Sequence, residues 1–112
     1  MSKPYELPGG AQRSTQAPSF HLLRAVGLRR LARRFQLGAT AYGDKNWLRS
    51  LERESDAAVF CREAFNHLME HALKCSNGEE PFDDHLAAIM WGAQAIMEAE
   101  DKFKKRWIEL CK

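Results

Sequence analysis

The run Leu86–Met97 is apolar at every position except Gln94. A helix over this run presents apolar side chains in all directions, so other elements have to cover it on all sides. We expect a central, buried helix that opens near Asp83 or Asp84 and continues, with more charged residues, to Lys112. A chain of 112 residues has few elements with which to cover such a helix. The sequence therefore also predicts a homo-oligomer that buries part of it between subunits.

A first helix is predicted after a stretch without periodicity. Residues 1–19 are rich in Pro, Gly, Ser and Gln, which predicts an extended N-terminal arm. From Phe20 onward the pattern is helical, and one face carries Leu28, Leu31, Ala32 and Phe35. We expect this helix to end before a loop that is bracketed by glycines, Gly38–Trp47. A short helical turn is expected after it, over residues 47–54.

A second helix is predicted between Ser55 and Gly78. Ser55 is a suitable N-cap, and Gly78 allows a left-handed cap at the other end. The apolar face carries Ala57, Cys61, Ala64, Phe65, Leu68 and Ala72. No segment alternates between apolar and polar residues at strand spacing. The predicted fold is therefore all-α, a compact bundle of three main helices, with the arm over residues 1–19 and a single helical domain over residues 20–112.

Composition narrows the class of protein. Three cysteines without CxxC spacing, Cys61, Cys75 and Cys111, do not describe a disulfide framework. No apolar run approaches the length of a membrane span and no signal peptide is recognisable, so we expect a cytoplasmic protein without membrane contacts. A formal net charge of +2 is too small to indicate nucleic-acid binding by itself.

The loop Gly38–Trp47 collects side chains that bind nucleotides. Tyr42 and Trp47 offer stacking surfaces, Lys45 a cation for phosphates, and Asn46 a hydrogen-bonding amide. The alternative is a turn at Gly43-Asp44 from which the two aromatic side chains pack back into the core. Both interpretations stay open at this stage.

Acidic residues and histidines form two further candidate sites. Glu63, Asn66, His67 and Glu70 make one polar ridge on the second helix, which can hold a divalent cation, relay a proton or simply face solvent. The sequence Asp83-Asp84-His85 stands before the apolar run, where Asp84 is either a helix cap or part of a site. If the second and third helices are antiparallel, His67 or Glu70 can approach Asp84 and His85.

Two other patterns carry weaker signals. His67, His71 and Cys75, with His85 as a fourth ligand, are residue types that suit zinc, but the first three span about 12 Å of helix, too far for one ion. The arginine run over residues 29–34 offers forked donors to phosphates, or else it is a solvated helix face.

The loop resembles a known family signature. The pattern Gly38-Ala39-x-x-Tyr42-Gly43-Asp44-x-Asn46-Trp47 is similar to the GAxKYGDxNW signature of the phage-type dATP/dGTP diphosphohydrolase N-terminal family. The resemblance continues through Gly9-Gly10-Ala11-x-Arg13 upstream, and through His67-Leu68, Gly78 and Asp84-His85-Leu86-Ala87-Ala88-x-x-Trp91 downstream. It covers roughly residues 9–100 and is most specific in the Tyr-Gly-Asp-x-Asn-Trp core.

The resemblance implies an enzyme. Members are helical and often phage-encoded, which would place this chain in the host cytoplasm, and the all-α MazG-like pyrophosphohydrolases are the broader analogy. The implied reaction converts a purine deoxynucleoside triphosphate to its monophosphate and diphosphate, with Mg²⁺ or Mn²⁺. The implied metal ligands are Glu63, His67, Glu70 and Asp84. The implied catalytic groups are His67 and His85, and the implied substrate contacts are Tyr42, Lys45, Asn46 and Trp47.

This chain departs from the family pattern at three positions. The family commonly has Lys where Ala41 stands, Arg where Asn66 stands and Asn where Gly92 stands. Lys45 or the arginine run can supply the missing positive charge. The alternative function is a non-enzymatic module that binds nucleotide, nucleic acid or an acidic partner through Arg29, Arg30 and Arg33. The modest net charge disfavours nucleic acid, and a zinc-stabilised structural domain is a third hypothesis.

Overall fold

The computed structural model describes residues 4–6, 12–14 and 19–111. Among these residues the α-helices are α1 (Ala25–Tyr42), α2 (Glu54–Asn77), α3 (His85–Phe103) and α4 (Trp107–Leu110). Two 3₁₀ helices, Phe20–Leu22 and Asn46–Leu51, precede α1 and α2 respectively. The prediction of an all-α bundle with three main helices is confirmed.

Two short strands pair in the N-terminal arm. Strands β1 (Pro4–Glu6) and β2 (Gln12–Ser14) pair antiparallel, with Tyr5 opposite Arg13. No strand was predicted from the sequence at these residues. Strands of three residues are too short for an alternating pattern to be recognised. Residues 1–3, 7–11 and 15–18 of the predicted arm lie outside the described residues.

Helix α3 lies between α1 and α2, as its apolar composition predicts. The α2–α3 pair is antiparallel, since His71 meets His85 near one end and Leu68 meets Gly92 further along. A Cβ added at Gly92 would lie 3.3 Å from both the Ala64 carbonyl oxygen and the Leu68 Cβ. A glycine at this position therefore permits the close approach of the two helices.

The core is built mainly from small side chains. The cluster of buried residues consists of Leu51, Ala57, Cys61, Ala64, Ile96, Ala99 and Leu110. Larger aromatic rings close its sides, and Phe65 stacks on Trp107 with centroids 4.5 Å apart and planes at 9°. This stack attaches α4 to α2, because the two rings come from the two helices.

Within the single chain, helix α3 is not buried on all sides, and burial of the remainder between subunits stays a prediction. The side chains of Leu86, Met90 and Met97 are 52%, 37% and 61% exposed. The buried face of α3 carries Ala87, Ala88, Gly92, Ala95, Ile96 and Ala99. Its neighbours cover this small-residue face, so the longer side chains point away from the bundle.

Helix boundaries agree with the sequence in some places and differ in others. Gly78 ends α2 at φ 68°, as predicted. Asp84 caps α3 through its side chain, which is one of the two alternatives that the sequence left open for it. Helix α3 stops at Phe103 instead of continuing to Lys112, because Lys104 turns into the left-handed region at φ 52°. Helix α2 begins at Glu54 after Arg53, so the prediction of Ser55 as its N-cap is wrong.

Helix α1 also differs from its predicted extent. It continues through Gly38 to Tyr42, so the predicted loop Gly38–Trp47 is reduced to a turn at residues 43–45. None of its residues is fully buried. Within the part of the chain that the structure describes, no helix has both the length and the apolar character that a membrane crossing requires.

Candidate functional site

A cavity of about 840 Å³ opens between α1, the turn that follows it, α2 and α3. The first helix and the turn contribute Arg34, Phe35, Tyr42, Gly43, Asp44, Lys45, Asn46 and Trp47. The other two helices contribute Phe60, Glu63, His67, Leu68, His71, Trp91 and Gly92. The size lies in the range of about 300–1,000 Å³ that is typical of small-molecule sites.

The turn after α1 places the signature residues on this cavity. Gly43 ends α1 with its amide 2.8 Å from the Ala39 carbonyl oxygen, and its φ of 95° belongs to a region that favours glycine. Lys45 follows in the left-handed conformation at φ 57°. The chain then enters the 3₁₀ helix with Asn46 and Trp47, so the six consecutive residues Tyr42 to Trp47 all line the cavity.

Trp47 belongs to a cluster of four aromatic rings. Its ring centroid lies 6.0 Å from Phe35, 6.4 Å from Phe60 and 6.1 Å from Trp91. Tyr42, in contrast, is 76% exposed. Of the two interpretations of the loop, packing therefore describes Trp47 and not Tyr42. Both rings still line the cavity, because the packed indole forms part of its wall.

Helix α2 supplies a polar wall opposite the turn. Glu63, His67 and His71 follow one another at intervals of one helical turn, and all three line the cavity. Glu63 and His67 are exposed, whereas His71 is partly buried. Burial lowers the pKa of His71, and the charge of Arg34 lowers it further, so its neutral form is favoured.

Asp84 lies outside this cavity, at a second hollow of about 420 Å³. Its carboxylate accepts hydrogen bonds from Arg30 Nε at 2.9 Å and from Arg30 Nη2 at 2.6 Å, and also from the Ala87 amide at 3.2 Å. The hydrogen bond from Arg30 lowers the pKa of Asp84 to about 2. Arg30 is therefore engaged in the fold, and the three arginines of the candidate nucleic-acid surface do not act as one free cluster.

His85 is buried beside the same hollow. Its Nε2 lies 2.8 Å and 3.0 Å from the carbonyl oxygens of Glu79 and Glu80, and its Nδ1 lies 2.9 Å from His71 Nδ1. The expected approach of α2 to α3 is present, but His71 makes it instead of His67 or Glu70. A four-residue advance along α2 is one helical turn, which the sequence alone does not resolve.

The family model of the dATP/dGTP diphosphohydrolase N-terminal domain matches residues 8–108. The chain belongs to this family. No curated protein and no solved structure matches it.

The site residues that the family resemblance implied do not all lie on one cavity. Those on the large cavity are Tyr42, Lys45, Asn46, Trp47, Glu63 and His67. Asp84 and His85 lie at the second hollow, and Glu70 lines neither. Sequence reasoning missed Phe35, Phe60 and Trp91 as cavity residues, although Trp91 stands in the matched pattern downstream of the loop. Arg34 on the cavity belongs to the arginine run that the sequence offered as a phosphate-binding candidate.

The predicted metal ligands are not gathered at one point. Among the described residues, the three-residue cluster with mutually close ligand atoms is His71, Asp83 and His85, and it contains none of Glu63, His67, Glu70 and Asp84. The carboxylates on the large cavity are those of Asp44 and Glu63. Mg²⁺ is commonly bound by one or two carboxylates together with substrate phosphates. These two carboxylates are too few for a complete protein cage around Mg²⁺, although they match the number that such an ion commonly takes from a protein.

Proposed function

We propose that this chain binds a purine deoxynucleoside triphosphate in the large cavity and hydrolyses it to the monophosphate and diphosphate. The observation that carries the proposal is the convergence on one cavity of an aromatic wall, two cations and a carboxylate–imidazole pair. The family to which the chain belongs is described by dATP/dGTP diphosphohydrolase activity, which supports the same substrate class.

The aromatic wall is suited to the base. Trp47 is held by Phe35, Phe60 and Trp91, so little side-chain entropy is lost when a purine ring stacks on it. Tyr42 is exposed at the cavity and is free to cover the other face of the ring. Stacking on aromatic side chains contributes about 1–3 kcal/mol per base.

The cationic side chains are suited to the triphosphate. Lys45 enters from the turn and Arg34 from α1, and both line the cavity. Arg34 also donates from Nη1 to Asp83 at 2.8 Å, so its guanidinium is held in place while other N–H groups stay available. Asn46 adds an amide that can bind a phosphate or the sugar. Lys45 in this role would compensate for the lysine that the family has at the position of Ala41.

Glu63 and His67 are suited to the chemical step. They lie one turn apart on α2, with side chains about 5–6 Å apart at the Cβ atoms by helix geometry. His67 in its neutral form accepts a proton from a water molecule, whose oxygen attacks the α-phosphorus while the bond to the diphosphate breaks. Glu63 orients that water or holds the cation. The divalent cation, Mg²⁺ or Mn²⁺, neutralises phosphate charge when it is bound.

The remaining predicted groups act less directly in this proposal. Asp84 is held by Arg30 and caps α3, so it supports the fold at the edge of the site. Glu70 lies outside the cavity lining. Of the four predicted metal ligands, the proposal therefore keeps Glu63 and the adjacent His67. Asp44 is the other carboxylate on the cavity that could bind the cation.

The test is diphosphate release from each of the four deoxynucleoside triphosphates by the full chain, with Mg²⁺, with Mn²⁺ and with a chelator. We expect metal-dependent turnover of dATP or dGTP, and a loss of at least about 100-fold in Glu63→Gln and His67→Asn, since general acid–base groups contribute about 10²–10⁴-fold. Glu70→Gln is the matched control because it removes an exposed charge from the same helix outside the cavity. Folded protein that releases no diphosphate, or full activity in Glu63→Gln and His67→Asn, would overturn the proposal.

A further inference from the structure

Two histidine rings and a carboxylate converge at the N-terminus of α3. The His71 Nδ1 atom lies 2.9 Å from His85 Nδ1 and 3.9 Å from Asp83 Oδ2. One ligand atom from each of the three residues lies within 4.8 Å of the other two. His85 is buried, and His71 and Asp83 are partly buried, so the three atoms lie at the edge of the bundle and not in open solvent.

Outer hydrogen bonds orient two of these groups. His85 Nε2 lies 2.8 Å and 3.0 Å from the carbonyl oxygens of Glu79 and Glu80, and because a carbonyl only accepts, Nε2 carries the proton. His85 Nδ1 therefore presents a lone pair toward His71. Asp83 Oδ1 accepts from Arg34 Nη1 at 2.8 Å, which leaves Oδ2 directed at His71. Metal ligands typically have such partners, which fix the ring tautomer and the carboxylate orientation.

The short contact between the two Nδ1 atoms has one proton to share. Since His85 Nδ1 is an acceptor, His71 Nδ1 donates to it in the metal-free chain. For an ion to take the place of this proton, His71 has to adopt the tautomer that is protonated at Nε2, and the Nδ1 atoms of both neutral rings then offer lone pairs to the ion. Zn–N bonds of about 2.0–2.1 Å in a tetrahedral site separate neighbouring ligand atoms by about 3.3 Å. The two nitrogens would move apart by a few tenths of an ångström, and Asp83 Oδ2 would move closer.

We propose that His71, Asp83 and His85 form a binding site for a divalent transition-metal ion such as zinc. Two imidazoles and a carboxylate suit zinc, whereas Mg²⁺ prefers an all-oxygen set. The fourth tetrahedral position is left for water. The ion would join α2 to the segment before α3 and to α3 itself, and it is separate from the cation proposed for the nucleotide. The site shares His71 and His85 with the sequence-derived zinc hypothesis but replaces His67 and Cys75 with Asp83.

The experiment is a titration of the metal-free full chain with Zn²⁺ by calorimetry and with Co²⁺ by visible absorption. We expect one ion per chain and a rise in the melting temperature with zinc, because a ligand that binds only the folded state stabilises it. His71→Gln and Asp83→Asn should each weaken zinc binding at least tenfold. Circular dichroism checks that these variants keep their helical content. The test uses His71 and Asp83 because they are less buried than His85, so their substitution disturbs the fold less.

Matched controls separate this site from its neighbours. His67→Gln removes an imidazole one turn earlier on α2, and Cys75→Ser removes the exposed thiol at the smaller hollow. Both should bind zinc as the unsubstituted chain does. The proposal is overturned if micromolar Zn²⁺ shows no saturable binding, if binding survives in His71→Gln, or if it is lost in Cys75→Ser. A thiolate-to-cobalt charge-transfer band would also overturn it.

Discussion

Arg30 binds Asp84 through both carboxylate oxygens, from Nε to Oδ2 at 2.9 Å and from Nη2 to Oδ1 at 2.6 Å. The same Oδ1 accepts from the Ala87 amide at 3.2 Å. One side chain thus caps α3 and attaches α1 to it. Because α1 has no fully buried residue, this polar contact is an important part of its attachment to the bundle.

Asp84→Ala should reduce the free energy of unfolding by about 1–2 kcal/mol, the sum of a lost N-cap and a partly exposed ion pair. Urea denaturation at neutral pH measures the difference. Asp101→Ala is the control, since Asp101 also forms an ion pair, with Lys104, but both partners are 79% exposed. Its effect should stay within about 0.5 kcal/mol. Equal losses in the two variants would show that Asp84 has no special role in stability.

The same residue predicts a dependence on pH. The hydrogen bond from Arg30 lowers the pKa of Asp84 from 3.8 to about 2 in the folded chain. A lowered folded-state pKa contributes stability above the unfolded value, and this contribution is lost as the pH falls from about 4 to about 2. The stability difference between the unsubstituted chain and Asp84→Ala should therefore shrink over that interval, as followed by denaturation at successive pH values. A constant difference down to pH 2 would contradict this assignment.

Lys45→Gly separates substrate binding from folding. Lys45 occupies the left-handed region at φ 57°, where a side chain costs roughly 1 kcal/mol that glycine does not. We expect unchanged or slightly higher stability together with a KM for the nucleotide raised about tenfold, the loss of one phosphate contact worth about 1.4 kcal/mol. Lys104→Gly relieves the same strain at φ 52° away from the cavity and should leave KM unchanged. Identical kinetics in the two variants would exclude Lys45 from the site.

Tryptophan fluorescence should report nucleotide binding. Trp47 and Trp91 line the cavity, whereas Trp107 stacks on Phe65 outside its lining. We expect dATP or dGTP to quench the emission, because a purine ring would stack on the exposed part of this wall. In Trp107→Phe the nucleotide should still quench the emission, whereas in Trp47→Phe most of this quenching should be lost. Phenylalanine preserves the aromatic packing in both variants. Quenching that disappears only in Trp107→Phe would place the nucleotide elsewhere.

Two of the three cysteines, Cys75 and Cys61, should react with alkylating reagents in a fixed order. Burial, together with the neighbouring Cys111 thiol, raises the pKa of Cys61 to about 11, so little thiolate forms at pH 8. Cys75 is exposed and free. Iodoacetamide should therefore label Cys75 first in the native chain and reach Cys61 only in denaturant, as peptide mass spectrometry can measure. Early labelling of Cys61 would indicate that the α2 core opens readily.

The sequence predicted the helices where a local signal marks them. Gly78 and Asp84 act within one turn of the backbone that they cap, so their roles follow from residue type. The extension of α1 through Gly38 was missed, because one glycine in a helix costs only about 1 kcal/mol and neighbouring alanines offset it. The break at Lys104 has no local signal, and it accompanies the packing of Trp107 on Phe65.

In the candidate site, too, groupings within a short stretch of sequence could be predicted, whereas contacts between distant segments could not. Lys45 and Trp47 are neighbours in sequence, and Glu63 and His67 are one helical turn apart, so their grouping could be predicted. The pairing of Arg30 with Asp84 joins residues 54 positions apart, and it depends on how α1 lies across α3. Spacing within one helix cannot supply that information, which is why Asp84 was expected at a metal and not at an arginine.

Gly92 has a consequence for the choice of ligand. It lies on the cavity wall, where any Cβ would press against Ala64 and Leu68 of the facing helix. A larger side chain at this position would require α2 and α3 to lie further apart, or it would occupy part of the cavity. The width of the large cavity at this point thus depends on Gly92 having no side chain. Under the proposed function, the size of ligand that the cavity admits can then change through the helix spacing, without any change in the residues that would contact the nucleotide.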